Sequence, residues 1–231
     1  MHCFVDYKIT NEEINNLEKL NVEPIIIPKC PILYEAIDGH VDIQLNVINN
    51  NTVIVQKDIS ESFLETLKDK KINYILSKNS LSKNYPNDVI LNALILPNFF
   101  IHNTKFTDEN LINSQKNKTI IDVKQGYTKC SILPLTNNAL ITTDKGIYNS
   151  LDKNIFDILL LPPGDILLPS LDYGFIGGTG GMISSNKLGI FGELKHYKYG
   201  DMVYDFLYKY DIEPISLKKG KLNDRGSLLC I

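Results

Sequence analysis

One thiol is the natural starting point for chemistry in this chain. Cys130 lies in Gln125-Gly126-Tyr127-Thr128-Lys129-Cys130-Ser131-Ile132-Leu133-Pro134-Leu135, which reads as a strand entered from a glycine turn. A cysteine attacks as its thiolate, which needs a base and an electropositive pocket; without them it is a small buried hydrophobe. Both readings are open at Cys130. His40-Val41-Asp42 offers an imidazole and a carboxylate for acid–base work, and the same pair can simply hydrogen-bond across a turn. Lys129 adjoins the thiol, but strand alternation predicts that it points away from Cys130 into solvent. The run Ile176-Gly177-Gly178-Thr179-Gly180-Gly181 lacks the Lys-Ser/Thr of a P-loop and the third glycine of a dinucleotide fingerprint. It is expected where backbone closely approaches a neighbour or a ligand.

The elements that must position these groups are bounded by composition. With 231 residues, 43% apolar and 22% charged, the chain can bury a substantial core, and we read residues 1–231 as a single domain. A net charge of -3 without a basic run argues against nucleic acid and anionic membrane as partners, leaving small ligands. No stretch approaches the roughly 18 apolar residues of a span, and no signal-peptide core follows Met1, so the expected compartment is the cytoplasm. Cys3, Cys30, Cys130 and Cys230 are scattered without CxxC spacing. Free thiols are therefore expected, with no zinc site. Cys230 is expected to pack, and His2, His102, His196, Cys3 and Cys30 receive no role.

Internal repetition is the strongest signal. Val22-Glu23-Pro24-Ile25-Ile26 recurs as Ile212-Glu213-Pro214-Ile215-Ser216, each after an amphipathic helix, and a third copy follows Leu64 and Leu67. Strand pairs precede the helices at 40–48 with 53–56, 89–96 with 99–103, 128–135 with 140–143, and 175–183 with 188–193. Asn49-Asn50-Asn51, Pro97-Asn98, Asn137-Asn138 and Ser185-Asn186 form the turns between them. The unit is strand, strand, helix, strand, with starts near 40, 87, 128 and 176. Helices at 107–115 and 145–152 are the weak copies. Residues 226–231 resemble a first strand without a partner, and 3–7 a second strand without a first, so the two termini complete a fifth unit. The expected fold is a five-bladed α/β propeller of ββαβ repeats, its ring closed by pairing of the termini; an open α/β sheet is the alternative. Pro162-Pro163-Gly164 and Pro169 mark an irregular connection, a surface loop or a lid.

Five such units resemble the pentein fold, whose enzymes modify guanidino groups: arginine and agmatine deiminases, dimethylargininase and the amidinotransferases. Gly39-His40-Val41-Asp42 resembles their G-H-x-D strand, Leu91-Asn92-Ala93-Leu94-Ile95-Leu96 their asparagine-bearing strand, and the Gly126 to Pro134 stretch their nucleophile strand. Leu222-Asn223-Asp224-Arg225-Gly226-Ser227 resembles their acidic, glycine-containing strand. Following that order, the chain looks circularly permuted, which adjacent termini tolerate. One departure stands out: where the family carries an Arg-Asp pair, this chain has Ile176-Gly177-Gly178-Thr179-Gly180-Gly181.

The resemblance implies Cys130 as nucleophile and His40 as general acid and base. It implies Asp42 and Asp224 as carboxylates that hold the substrate cation, with Asn92 lining the pocket; no metal or cofactor is required. The chemistry agrees with the residue types. A guanidinium carbon is a poor electrophile, so attack needs a thiolate, carboxylates that fix the cation and an acid for the leaving nitrogen. The expected activity is a cysteine-dependent, arginine-deiminase-like hydrolase or an amidinotransferase, acting on a non-peptide C–N bond of a small guanidine- or amidine-containing molecule. The alternative is a catalytically inactive pentein scaffold that binds a small ligand or a protein. Asp224 could equally be a turn residue before its strand.

Overall fold

The computed structural model describes residues 1–231, and its strands form five three-stranded sheets. In the first unit Leu45–Asn49 turns into Thr52–Val55, the helix Glu61–Asp69 follows, and Asn73–Leu76 completes the sheet. The second repeats this with Leu94–Ile95, Phe99–His102, the short helix Glu109–Asn113 and Thr119–Asp122. The third has Ile132–Pro134, Ala139–Thr142, helix Lys145–Ser150 and Asp157–Leu160. The fourth has Gly180–Ser184, Lys187–Ile190, helix Gly200–Tyr208 and Glu213–Ser216. The chain ends share the fifth: Leu229–Cys230, then His2–Val5, helix Asn11–Glu18 and Glu23–Ile26.

In every sheet the second strand is central, antiparallel to the first and parallel to the third. Third strands are thus edges, where Pro24 and Pro214 can sit at matching places without breaking a ladder. In three units a left-handed residue just past the helix, Asn21, Lys71 or Asp211, turns the chain into that third strand (φ 59°, 59° and 53°). The termini pair as expected, Cys3 opposite Cys230 and Phe4 opposite Leu229.

Packing follows the same repetition. Each of five apolar clusters draws on two sheets: Ile43 and Ile54 meet Leu91 and Phe100, for example, and Leu133 and Ile141 meet Leu188 and Ile190. Leu94 and Ile101 meet Ile132 and Leu140, Ile183 and Phe191 meet Val5 and Leu228, and Phe4 meets Leu45 and Val53. Every sheet contributes to two clusters, which is why strands of four residues can be nearly all apolar. No sheet closes on itself, and side-chain packing joins one unit to the next.

Two expectations need correction. Three of the expected first strands begin with a turn of helix: Val41–Gln44 precedes Leu45–Asn49, Thr128–Ser131 precedes Ile132–Pro134, and the 3₁₀ turn Ile176–Thr179 precedes Gly180–Ser184, while those expected at 89–96 and 226–231 shorten to Leu94–Ile95 and Leu229–Cys230. At these entrances the backbone donors are met outside any ladder: Asp42 N–H donates to Gly226 C=O (3.1 Å) and Lys129 N–H to Asn92 C=O (3.0 Å), while Ser131 N–H bonds locally to Tyr127 C=O (3.0 Å). The second concerns the thiols. Cys3 and Cys230 face each other in register and form a disulfide, leaving only Cys30 and Cys130 free.

Candidate active site

The helical turns carry the site. His40 precedes Val41–Gln44, Asp42 lies in it, and Cys130 lies in Thr128–Ser131, all buried. Asp42 is anchored to the segment leading into the last strand through its N–H, which donates to Gly226 C=O at 3.1 Å. Gly226 has φ +69°, and a Cβ there would lie 2.4 Å from His40 Cα. Only glycine lets residues 224–227 run against His40 in that left-handed conformation.

Cys130 Sγ donates to Asp42 Oδ1 at 3.2 Å and receives a hydrogen bond from Asn92 Nδ2 at 3.1 Å. Asn92 also donates to Asp42 C=O (2.9 Å) and accepts from Cys130 N–H (3.2 Å). Its side chain clamps two helical turns together and is fully buried, so it sits behind the thiol and does not line the cavity. Asp42 is likewise buried behind Cys130, its other oxygen accepting from Ser227. Asp224 takes a different place, accepting from Phe175 N–H (2.8 Å) and Gly226 N–H (3.0 Å), with Oδ1 3.9 Å from His40 Nε2. His40, Cys130 and Asp224 meet at one cavity of about 270 Å³. The structure therefore brings all five expected residues together, three at the cavity and two beneath the thiol.

Burial pushes the Cys130 thiol well above its ordinary range, and the Asp42 and Asp224 carboxylates push it the same way; the Asn92 amide opposes them. Asp224 is also raised, mainly by burial, against the pull of His40 and its two backbone donors. The ligand atoms of His40, Asp42 and Cys130 lie within 4.8 Å of one another, so these three residues could hold a cation. Hydrogen bonds from Asn92 and Ser227 already engage the thiol and the second Asp42 oxygen.

Lys129 is the clearest reversal. It is buried, not solvated, and its Nζ donates to Ser227 Oγ at 2.9 Å. A helical turn rotates successive side chains by about 100°, not the 180° of a strand, so Lys129 and Cys130 both face inward. Lys129, Ser227, Asp42 and Cys130 form one buried chain of hydrogen bonds. Burial draws Lys129 down from its usual range, while Asp42, Cys130 and Asp224 hold it up.

His102 and Tyr127 carried no sequence signal of their own. His102 accepts its place from both sides, facing Thr107 Oγ1 at 2.7 Å and Gly126 C=O at 2.9 Å, and so fixes the turn that leads to Cys130. Burial holds its pKa down to about 4, leaving a neutral ring whose Nε2–H donates to that carbonyl. Tyr127 stacks on Phe175 at the cavity wall. The glycine run does what close approach requires: a Cβ on Gly178 would fall 1.8 Å from Asp224 Oδ1. The unit without the Arg-Asp aspartate thus makes room for the carboxylate of its neighbour. The connection marked by Pro162 to Pro169 is also more than a surface loop, since Leu168, and Leu171 and Tyr173 just beyond it, stand at the cavity.

Three solved structures share this fold at low identity. The amidinotransferase SxtG of the saxitoxin biosynthetic pathway from Microseira wollei has a TM-score of 0.61 and 10% identity over 97% of this chain and 89% of that one. The inosamine-phosphate amidinotransferase of Streptomyces griseus gives 0.53 and 11%, over 94% and 77%. DDAH from Pseudomonas aeruginosa, a mutant complexed with citrulline, gives 0.51 and 9%, over 94% and 92%. The fold is therefore that of the penteins. Comparison with curated proteins gives no match. The family model that matches is one of unknown function and covers residues 4–229, so the chain belongs to family DUF6873.

Proposed function

We propose that the protein is a cysteine-dependent enzyme acting on a guanidine- or amidine-type C–N bond, as a hydrolase or an amidinotransferase. The observation that carries this is the meeting of Cys130, His40 and Asp224 at one cavity, with Asp42 hydrogen-bonded to the thiol behind it. Penteins of known structure that share the fold are amidinotransferases and DDAH, which agrees with the reading.

The electrostatics suit a cationic ligand. At rest the thiol is protonated, held so by burial and two carboxylates. An amidinium entering beside Asp224 offsets that negative field and favours the thiolate, so attack is coupled to binding. The thiol proton passes to Asp42, the sulfur lone pair forms the C–S bond, and the C=N π pair moves to nitrogen. Collapse breaks the C–N bond, and the departing nitrogen takes a proton from His40. A thiouronium intermediate remains. Water deprotonated by His40 then attacks the carbon, the C–S bond breaks, and the sulfur recovers its proton; an acceptor amine in place of water completes a transfer. No cofactor enters these steps, and the partner is a small guanidine- or amidine-containing molecule.

The test compares 2-chloroacetamidine with its neutral isostere 2-chloroacetamide, reading adducts by intact mass and peptide mapping. Selective amidine labelling of Cys130, lost in Asp224→Ala and His40→Ala variants that still fold, is expected. If Cys130 reacts with the amidine no faster than Cys30 does, the inactive-scaffold reading replaces this one. The proposed cytoplasmic location has its own check. A reducing compartment keeps Cys3 and Cys230 as thiols, so alkylation in freshly quenched cells reads it directly.

A further inference from the structure

We infer that the Cys130 cavity takes a guanidinium or amidinium whose nitrogen bears an apolar, preferably aromatic, substituent and no carboxylate. This names the substrate class of the site and rests on the reading of Cys130 as its nucleophile.

The cavity is chemically polarised. Cys130, His40 and Asp224 lie together, and nine of the twelve lining residues are hydrophobic. The only other charged group lining it is Asp172, so the cavity offers two carboxylates and no lysine or arginine. A cation is drawn to Asp224 wherever it enters. A carboxylate on the same ligand would meet Asp172 and apolar walls, an unpaired charge in a partly desolvated place. An amino-acid head group is therefore disfavoured.

The walls show what replaces it. Tyr127 stacks on Phe175, with ring centroids 6.1 Å apart and planes at 29°, and the Tyr127 hydroxyl is tied to Asp88. Leu171 and Tyr173 are 47% and 43% exposed where they line this cavity, apolar surface that a ligand would cover. The loop that carries them is not free of the carboxylate: Leu167 N–H donates to Leu222 C=O, and Asp224 N–H donates to Leu167 C=O, both at 2.8 Å. Apolar cover and cation anchor are built as one piece.

A neighbouring polar cleft could seem to offer the missing cation. It shares His40, Leu168 and Asp224 with the cavity and adds Lys8 and Arg225. Both are already engaged, Lys8 with Asp38 at 2.6 Å and Arg225 with Glu13 at 3.5 Å. The cavity volume, about 270 Å³, falls just below the roughly 300–1,000 Å³ usual for ligand sites. A single ring on a short arm suits it.

Binding is measured by calorimetry to Cys130→Ser, which removes the thiol chemistry, with 2-phenylethylguanidine, agmatine and L-arginine as probes. Phenylethylguanidine is expected to bind at least about ten-fold more tightly than L-arginine, with agmatine between them. Tyr173→Arg in the same background, at an exposed position, is expected to narrow that gap by favouring arginine. L-Arginine binding as tightly as phenylethylguanidine, or no binding by any probe, overturns the inference. Chloroacetamidine labelling of the wild type is read separately. Labelling with no apolar preference sinks only the substrate class, and apolar preference without labelling sinks only the catalytic reading.

Discussion

Gly178→Ala is the sharpest perturbation of the site, because its cost can be worked from the geometry. The new methyl would lie 1.8 Å from Asp224 Oδ1 and 2.4 Å from its Cγ, over an ångström inside any normal contact. Gly178 cannot retreat easily, since its carbonyl accepts from Arg225 N–H (2.9 Å) and Ser227 N–H (3.1 Å). The carboxylate must leave, giving up the Phe175 and Gly226 donors. Hydrogen bonds to a charged group are each worth roughly 1.5–3 kcal/mol, so the expected loss is about 3–6 kcal/mol. Urea unfolding measures it. The control is Asp224→Ala, which removes all three atoms that the methyl would strike; in that background Gly178→Ala should cost under about 1 kcal/mol, and the double-mutant cycle isolates the difference. Chloroacetamidine labelling of Cys130 should fall in the single variant as it does in Asp224→Ala. A loss below about 0.5 kcal/mol with labelling intact would refute the claim that this glycine makes room for the carboxylate.

Four further outcomes are expected. Because burial and two carboxylates raise the Cys130 thiol, labelling by neutral chloroacetamide should keep climbing past pH 9 with no plateau, about ten-fold per unit; a plateau near pH 7 contradicts that field. Lys129→Met should destabilise the fold by about 3 kcal/mol in urea, since it strips the buried cation from the Ser227–Asp42 chain, and a change near zero would return Lys129 to a merely packed role. Reduction of the purified protein should add two hydrogens by intact mass and cost about 2–5 kcal/mol of stability, and alkylation of four thiols without reductant would deny the Cys3–Cys230 bond. A chelator should leave Cys130 labelling unchanged; a change reversed by zinc would recast His40, Asp42 and Cys130 as ligands.

Much of the architecture was legible because it repeats. A strand, strand, helix, strand unit carries its own periodicities, and matching copies at 22–26 and 212–216 became third strands in different sheets. The pairing of residues near 3 with those near 230 followed from counting incomplete units. The weak helices were legible too, at five and six residues. Less legible was the start of each first strand. His40-Val41-Asp42-Ile43-Gln44-Leu45 alternates polar and apolar as a half-buried strand does, yet Val41–Gln44 is helical. Alternation reports burial on two faces, and here both faces are buried whatever the backbone does.

The chain by itself determined which side chains could do chemistry, and in which units they stand: a thiol, an imidazole and carboxylates at the same entrance of different repeats. Local pattern suffices for that, because each unit's order of elements is written in its own residues. Tertiary structure alone decided how they divide. It turned Lys129 inward, set Asn92 and Asp42 behind the thiol, gave Asp224 the space above Gly178 and joined Cys3 to Cys230. Those outcomes depend on approaches between residues up to 227 positions apart. A periodicity cannot carry them, because they are set by how packed sheets meet and by which buried polar groups find a partner there.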